Sequence, residues 1–299
     1  MIGKRIAILI PCYNASATIG ATLKSVEVSI EKLGFPVPVF IYDDCSKDDS
    51  IAVARNSWKN QDTLFIEKND ENSGERKTVN RAFEFFYQKY NWVFIIHADD
   101  IVKPDWLLEI YAQIGKVDDK EYFTIWSSFD SLDDKTGNIT TGDNIGNIHA
   151  RERTEAEKKH YLIKFYSNWH LSGAALNVSL FQSLGGFDPS MPQFGDTDFF
   201  VRGLLKGYRD LYLSRTLTYY RIISGSVSST SARTNRDIKE VKYIAKKFQY
   251  LMKKKELKML YRNLAFLSFK RSWQWFRKAN MKNFFFCFGS TWRSYINSL

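Results

Sequence analysis

The feature that most constrains this chain is an alternation of short apolar runs with stretches of helical periodicity, between residue 6 and about residue 130. Such alternation is typical of a mostly parallel sheet covered by crossover helices. We predict strands at 6–11, 37–44, 63–68 and 92–100, and helices at 17–33, from 47 onward and at 74–90. Each early strand ends in polar residues, and ligands of open α/β sheets bind beyond the carboxyl ends of the strands. The sequence therefore predicts an α/β domain with a ligand site at that edge.

The pattern changes after about residue 130. Residues 131–195 are rich in Gly, Asp and Asn, which favours loops and short antiparallel strands. A helix is predicted at 198–208 and a strand at 217–222, and continuous helical pattern follows from residue 237. We therefore divide the chain into a catalytic domain, residues 1–236, and a helical extension, residues 237–299. Within the domain, residues 1–130 and 131–236 form two halves.

The net charge of +10 is concentrated in the extension. Residues 237–299 contain fifteen Lys or Arg and three acids, which leaves the first 236 residues slightly acidic, at −2. A basic, aromatic-rich tail suits polyanions. The two physical candidates are an anionic membrane surface and nucleic acid.

Cysteine content and the amino terminus bear on location. Cys12, Cys45 and Cys287 are too few and too scattered for a disulfide framework or a zinc cluster, so reduced thiols in a cytosolic protein are expected. The apolar run that ends at Pro11 is far shorter than a signal sequence or a membrane span. We expect a cytoplasmic protein, peripheral on the inner face of the cell membrane if its tail binds lipid.

Five motifs in chain order carry a family resemblance. They are IAILIPCYNASATIGATLKSV (6–26), IYDDCSKDDS (41–50), ENSGERKTVNRAF (71–83), IIHADDIVKPDWL (95–107) and GGFDPSMPQFGDTDFFVRGLLKGY (185–208). Their order and spacing resemble those of the family 2 glycosyltransferases, inverting enzymes of the GT-A fold that build bacterial surface polysaccharides.

The resemblance implies a function for each half of the domain. It implies a mostly parallel GT-A sheet flanked by helices, and a hexosyltransferase that moves a sugar from a nucleotide-sugar to a hydroxyl of a saccharide or lipid-linked saccharide. UDP is the default nucleotide. Residues 1–130 then bind the nucleotide-sugar, and residues 131–236 bind the acceptor.

Two carboxylates are the expected metal ligands. A divalent cation on hard oxygen ligands can hold and screen a diphosphate. Because Asp99 and Asp100 end a buried strand, we expect them to share Mn²⁺ or Mg²⁺ and donor contacts, without assigning which does which. The family has acid-x-acid-acid here, and His97 stands at the first acid. The alternative is that the two acids only cap the strand before Pro104.

The remaining donor contacts are implied by the resemblance. Asp44 is expected to meet the base edge, with a helix-capping role as its alternative. Arg76 and Lys77 follow a turn at Gly74 that leads into a helix. Cations at the start of a helix suit phosphate or base oxygens. Arg221 is expected near the diphosphate, with an ordinary surface role as its alternative. For Tyr13 the alternative to a donor contact is packing. The expected donor-binding residues are Pro11, Tyr13, Asn14, Asp44, Asn72, Gly74, Arg76, Lys77, Asp99 and Arg221.

Transfer to a hydroxyl needs a base, and Asp196 is the residue that the resemblance implies. The family has an acid-Asp-x-Asp pattern at the start of a helix, and Gly195 replaces its first acid. Asp198 is expected to help at the acceptor or to cap the helix, and Gly186 to form a tight turn under the acceptor. His149, His160 and His170 lack partners at ligand spacing, so we expect ordinary polar or core roles for them, and Ile223 stands where relatives often carry a histidine.

Two other functions are open to such a chain. A sugar nucleotidyltransferase would show a glycine-rich loop with Arg and Lys after its first strand, and residues 11–14 are not such a loop. A nucleic-acid-binding protein would use the aromatic and basic tail, but it leaves the acid clusters unexplained, so we expect no nucleic acid. In residues 239–299 the cations lie beside large aromatics, which indicates a helix in the plane of an anionic membrane or a helical pair packed on the domain.

Overall fold

The computed structural model of this chain describes residues 3–142, 150–152, 170–223 and 234–297. These form two compact units, the first containing residues 3–142, 150–152 and 170–223 and the second residues 234–297. His149, His160 and parts of the loop-rich stretch predicted at 131–195, namely residues 143–149 and 153–169, lie outside the described residues. The first helix of the second unit begins at Arg236, and the predicted division of the chain at residue 236 stays a prediction.

A mixed sheet of ten strands, counted over the described residues, organises the first unit. The strands are β1 (Ile6–Cys12), β2 (Val39–Asp43), β3 (Leu64–Lys68), β4 (Trp92–Ile95), β5 (Ile101–Val102), β6 (Tyr122–Asp133), β7 (Ile139–Thr140), β8 (Ala150–Arg151), β9 (Ala175–Asn177) and β10 (Arg209–Ile222). Their order across the sheet is β3-β2-β1-β4-β9-β6-β10-β5, with β7 beside β6 and β8 beside β10.

Strand direction agrees with the prediction in the first half of the unit. β3, β2, β1 and β4 are parallel, and β6 and β10 are parallel to each other. β9 runs antiparallel between β4 and β6. The predicted α/β class with a mostly parallel sheet is confirmed, and β7 and β9 are the short antiparallel strands expected in the middle of the chain.

Helices flank this sheet. They are α1 (Ile19–Leu33), α2 (Ser50–Ser57), α3 (Glu75–Phe86), α4 (Trp106–Ile114), α5 (Val178–Ser183) and α6 (Gly195–Leu205), with a short 3₁₀ turn at Gln61–Thr63. The predicted helix at 17–33 is confirmed, and Gly34 ends it in the left-handed conformation, at φ 88°. α6 begins three residues before the predicted position, and β10 is longer than the strand predicted at 217–222. α5 was not predicted, because six residues are too few to show a helical period.

Two hydrophobic cores lie on opposite faces of the sheet. Ile6, Ile8 and Ile10 of β1 point into one core with α1 and α4, while Ala7 and Leu9 point into the other with α3, α5 and α6. Successive side chains of a strand alternate between the faces of a sheet. A strand covered on both faces therefore reads as a continuous apolar run, which is why β1 was visible in the sequence.

Hydroxyl groups on α1 attach the segment that follows β4. Thr22, Ser25 and Ser29 lie at helical spacing on one side of α1, and all three bond to the backbone of residues 98–107. The Ser25 hydroxyl accepts from the amide of Val102 at 3.1 Å, and that of Ser29 accepts from the amide of Leu107 at 3.0 Å. These contacts hold the segment after β4 against α1.

The second unit is helical. It contains α7 (Arg236–Phe248), a 3₁₀ turn at Gln249–Leu251, α8 (Lys254–Arg277) and α9 (Met281–Ile296). The tail is therefore helical as predicted, and it forms three helices where a single helix or a helical pair was expected. Arg271 pairs with Asp237 at 2.8 Å, and Lys242 donates to the Ser290 hydroxyl at 2.7 Å, so all three helices are joined. None of the described helices combines the length and the apolarity that a membrane span requires.

Candidate active site

The two carboxylates predicted to hold a metal lie just beyond β4. Asp100 is 1% exposed, and its Oδ1 accepts the backbone N–H of Arg221 at 2.9 Å, which ties β10 to this edge. Its Oδ2 is buried and has no hydrogen-bond partner. Burial raises the pKa of both carboxyls, and for half-buried Asp99 the negative charge of Asp100 adds to the effect. Two poorly solvated carboxylates with an unsatisfied oxygen favour binding of a cation.

Two hydroxyls shape the turn that carries these acids. The buried Thr22 hydroxyl donates to the carbonyls of Asp100 and Ala98, at 2.8 and 3.0 Å. The Ser172 hydroxyl accepts the backbone N–H of His97 at 3.0 Å. The positions of the carboxylates thus depend on α1 and on the segment before β9.

His97, the departure from the family pattern, lies between two carboxylates. Its Nε2 is 3.4 Å from Oε1 of Glu75, and its Nδ1 is 3.9 Å from Oδ2 of Asp100. Burial alone would lower the pKa of His97, but the negative charges of Glu75, Asp100 and Asp99 outweigh it and raise the pKa to about 9. Burial alone would likewise raise the pKa of Glu75, but Arg76 and His97 lower it to about 2. Sequence reasoning missed Glu75, because nothing local indicates that it meets His97.

Arg76, predicted to bind the donor, is buried between charged groups. Its Nη1 is 3.1 Å from Glu75 and its Nη2 is 3.9 Å from Oδ1 of Asp196. The guanidinium lies 5.1 Å from the ring centre of Phe187, and its Nε is buried without a hydrogen-bond partner. Asp196, Arg76, Glu75, His97 and Asp100 therefore form a continuous series of charged side chains, which we call the charged row.

Asp196 lies in the first turn of α6 with its side chain 21% exposed. Its Oδ1 accepts the backbone N–H of Thr197 at 2.8 Å. A Cβ added to Gly195 would lie only 3.1 Å from Nε of Arg76. The glycine in place of the family's first acid thus makes room for an arginine, and Asp196 has a cation as its neighbour.

Asp198 is buried and pairs with an arginine, and its predicted help at the acceptor stays a prediction. Its carboxylate is fully buried and accepts from Nε of Arg202 at 2.8 Å. Arg202 also donates to the carbonyl of Gly186 at 2.7 Å. Gly186 has φ 67°, and a Cβ there would lie 2.6 Å from Oδ1 of Asn80, so the predicted need for glycine is confirmed. Contact of this turn with an acceptor stays a prediction.

Asp44 supports the loop that leads into α3. Its Oδ1 accepts the amide of Ser73 and the side-chain amide of Asn69, both at 2.8 Å, and its Oδ2 accepts the amide of Gly74 at 2.7 Å. Gly74 has φ 88°, a conformation that glycine adopts without strain. Asp44 therefore positions the start of α3, where Glu75 lies, and its contact with a nucleobase stays a prediction.

The other predicted donor residues differ in accessibility. Pro11 is buried in β1, whereas Tyr13 is 49% exposed beside it. Asn14 has φ 49° and bonds through its side chain and backbone to the loop after β2. Asn72 and Lys77 are exposed. Tyr13, Asn14, Asn72 and Lys77 are therefore free to meet a ligand.

Arg221 meets the site through its backbone, while its side chain turns to Asp134. Its Nε donates to Oδ1 of Asp134 at 3.2 Å. Its Nη1 is buried without a hydrogen-bond partner. The guanidinium retains a donor for an anionic ligand, and the predicted phosphate contact stays a prediction.

His170 lies beside the charged row, which the sequence did not indicate. Its ring centre is 6.0 Å from that of His97 and within 5.0 Å of those of Phe129 and Tyr220. Its Nδ1 lies 3.1 Å from the carbonyl of Ser172. Burial and the positive charge of His97 lower the pKa of His170 to about 4, so the ring is neutral at pH 7. A neutral imidazole thus borders the site.

The donor set beyond β4 fits a divalent cation. His97, Asp99 and Asp100 each offer one ligand atom, and these atoms lie within 4.8 Å of one another. The unsatisfied Oδ2 of Asp100 lacks the partner that a cation would supply.

Comparison with known protein families identifies one family that this chain matches. The model of a family described as Glycosyl transferase family 2 matches residues 7–181, more than half of the chain. Among curated protein sequences, none matches this chain significantly.

Solved structures share this fold at low sequence identity. S. aureus TarS 1-349 in complex with UDP-GlcNAc matches at a TM-score of 0.60 and 15% identity, over 97% of this chain and 92% of that one. The same protein in complex with UDP matches at 0.57 and 16%, over 97% and 91%. GalNAc-T7 with UDP, GalNAc and Mn²⁺ matches at 0.53 and 16%, over 80% of this chain and 50% of that one. At such identities the likeness shows the GT-A fold.

Proposed function

Since this chain belongs to glycosyl transferase family 2, we propose that it transfers a sugar from a UDP-sugar to a hydroxyl of a saccharide acceptor, with inversion at the anomeric carbon. The observation that carries the proposal is the charged row, which joins a carboxylate at the start of α6 to the carboxylates beyond β4. The UDP complexes of TarS and of GalNAc-T7 support UDP as the nucleotide.

The proposed donor site lies at the carboxyl ends of β1, β2 and β4. Tyr13 and Asn14 follow β1 and are exposed there, and Asp99 follows β4. We assign the base and ribose to the residues after β1 and β2, and the diphosphate to those after β4. A divalent cation, Mn²⁺ or Mg²⁺ on Asp99 and Asp100, would screen the diphosphate and improve it as a leaving group.

The proposed base is Asp196. Its carboxylate takes the proton of the acceptor hydroxyl while the hydroxyl oxygen bonds to the anomeric carbon and the bond to the diphosphate breaks. One displacement inverts the anomeric configuration, so an α-linked donor gives a β-linked product. Arg76, 3.9 Å from Oδ1 of Asp196, keeps this carboxylate beside the donor site. The residues of 131–236 that form the acceptor site, with Gly186, decide which saccharide binds.

The reaction is tested first by binding and then by product analysis. A thermal-shift panel of UDP-sugars with Mn²⁺ should identify the donor, because a ligand that binds only the folded state raises the Tm. Asp196→Asn should reduce kcat at least about a hundredfold while donor affinity stays close to wild type. Asp100→Asn should lose both turnover and metal-dependent donor binding, and exposed Asp62→Asn serves as the control. A product with retained configuration, or full activity in excess EDTA, contradicts the mechanism.

We also propose that the second unit binds an anionic membrane surface and brings the site to a lipid-linked acceptor in surface polysaccharide or glycolipid synthesis. Two exposed faces support this. α8 exposes Phe266, Phe269, Trp273 and Phe276, at spacings of three and four. α9 exposes Met281, Phe285, Phe288, Trp292 and Tyr295 in the same way, with Ile296 beside the last of them. Arg262, Lys270 and Arg277 are exposed, and each lies four positions from one of the aromatics of α8. An aromatic face bordered by cations suits the interface of a bilayer.

Sedimentation with vesicles tests the membrane proposal. The full chain should pellet with anionic vesicles more than with neutral ones, and less at high salt. The double variant Phe288→Ser and Trp292→Ser should bind more weakly, whereas Tyr250→Ser, at an exposed aromatic outside α8 and α9, should not. Equal pelleting with neutral vesicles, or equal binding by the double variant, would refute it.

A further inference from the structure

We propose that His97 binds the catalytic cation through its Nδ1, that Glu75 orients the ring, and that the site consequently favours transition-metal ions over Mg²⁺. This inference rests on the proposed function, because it concerns the cation that assists the nucleotide-sugar. His97 stands where the family pattern acid-x-acid-acid has its first carboxylate. The departure replaces a hard oxygen ligand with an imidazole nitrogen.

The two ring nitrogens of His97 face different carboxylates, and Nε2 is buried without a hydrogen-bond partner. Nδ1 faces Oδ2 of Asp100 at 3.9 Å, and Nε2 faces Oε1 of Glu75 at 3.4 Å. A direct hydrogen bond between Nδ1 and this carboxylate would bring the atoms to about 3 Å. The longer separation between two potential ligand atoms leaves room for an ion that binds both. His97, Asp99 and Asp100 each offer one ligand atom, and these three atoms lie within 4.8 Å of one another.

An unsatisfied atom marks the position of the missing partner. Oδ2 of Asp100 is buried, belongs to a residue 1% exposed, and has no hydrogen-bond partner, although Oδ1 of the same group has one. Buried carboxylate oxygens are normally satisfied. Because Nδ1 of His97 lies 3.9 Å from this oxygen, a single cation has room to bind both atoms.

Glu75 has the position of a carboxylate that orients a metal-binding histidine. Metal-bound histidines usually donate their other ring N–H to a carboxylate or carbonyl, which sets the tautomer and the orientation of the ring. Glu75 lies on the Nε2 side, and Arg76 holds it at 3.1 Å. A proton on Nε2 then leaves the lone pair of Nδ1 for the cation.

The identity of the ligand determines the preference among cations. Imidazole nitrogen suits first-row transition ions, whereas Mg²⁺ prefers oxygen ligands, retains its waters and requires near-ideal octahedral geometry. A site of one imidazole and two carboxylates should therefore bind Co²⁺ and Mn²⁺ more tightly than Mg²⁺. Replacing His97 by an oxygen ligand should reduce that preference.

Electron spin echo spectroscopy of Mn²⁺ gives a readout independent of activity. With the full chain, Mn²⁺ and UDP, the echo should show modulation from a directly bound ¹⁴N. His97→Asp should still bind Mn²⁺ but lose the nitrogen modulation. His170→Asn removes the neighbouring imidazole, whose ring centre is 6.0 Å away, and should retain the modulation. No modulation in the wild type, or its loss in His170→Asn only, would overturn the assignment.

Calorimetry of metal binding in the presence of UDP tests the preference and the role of Glu75. The ratio of Mg²⁺ to Mn²⁺ dissociation constants should fall in His97→Asp. Glu75→Gln should weaken Mn²⁺ binding by about 10- to 100-fold, as loss of an orienting carboxylate does elsewhere. Glu84→Gln, an exposed change on the same helix, is the matched control and should have no effect. Equal Mn²⁺ affinity in the two glutamate variants would overturn the role of Glu75.

Failure of this inference is distinguishable from failure of the proposed function. If the protein transfers sugar with Mn²⁺ but shows no ¹⁴N modulation, only the ligation by His97 is wrong. If no UDP-sugar binds and no sugar is transferred with any cation, the proposed function itself is wrong.

Discussion

Removing the hydroxyl of Thr22 should loosen the turn that carries the metal carboxylates. Thr22 is fully buried on α1, and its Oγ1 lies 2.8 Å from the carbonyl oxygen of Asp100 and 3.0 Å from that of Ala98. Thr22→Val keeps the shape of the side chain but removes this donor. The two carbonyls belong to the turn that contains Asp99, so the substitution acts on the site without touching a ligand.

The expected loss of stability in Thr22→Val follows from the number of hydrogen bonds that the hydroxyl can donate. A hydroxyl has one proton, so the two carbonyls share one hydrogen bond, and a buried acceptor left unsatisfied costs about 1–3 kcal/mol. The added methyl group of valine offsets up to about 0.8 kcal/mol of this if it packs well. We expect a net loss of about 1–2 kcal/mol, which at this chain length lowers the Tm by roughly 2–8 °C. Mn²⁺ affinity measured with UDP should fall several-fold, because the carboxylates are no longer held in one position.

Thr22→Ser separates the hydrogen bond from packing. Serine retains the hydroxyl and loses one methyl group, so stability should fall by about 1 kcal/mol while Mn²⁺ affinity stays at the wild-type value. Calorimetry with Mn²⁺ and UDP, beside a thermal melt of each variant, makes the comparison. The reasoning is refuted if Thr22→Val binds Mn²⁺ as the wild type does, or if Thr22→Ser weakens binding equally.

Three further predictions concern stability. Asp198→Asn should lower the free energy of unfolding by about 3 kcal/mol, since it leaves the guanidinium of Arg202 without its buried carboxylate; unchanged chemical denaturation would contradict this. Gly203→Ala should lower the Tm, because its Cβ would lie 2.6 Å from the buried ring of Phe123, and overpacking costs about 1–3 kcal/mol against a helix-propensity gain of about 1. Slight burial would raise the pKa of Asp48, but hydrogen bonds from two serines lower it to about 2. The difference in unfolding free energy between wild type and Asp48→Asn should therefore have its full value above pH 3.8, the ordinary pKa, and should disappear as the pH falls through about 2. A difference between the two proteins that persists at lower pH would exclude this carboxyl as the cause.

The sequence by itself determined the local elements of the first unit and the acids at their ends. β1 and β2 were visible because strands buried on both faces are continuous apolar runs, and α1 because its apolar residues repeat at helical spacing. The placement of Asp99 and Asp100 beyond β4 also followed from the sequence, since it depends only on where an apolar run stops. Periodicity is a property of neighbouring residues, so it needs no knowledge of the rest of the fold.

Only the tertiary structure decided which of these residues meet. Glu75 and His97 are 22 positions apart, and Arg76 and Asp196 are 120 apart, yet they form one charged row. The insertion of β9 between β4 and β6, and the burial of Asp198 against its arginine, likewise came from the structure. A contact of this kind depends on strand order and on helix packing over the sheet. Those are settled by burial of apolar surface across the whole unit, which no local segment of the sequence records.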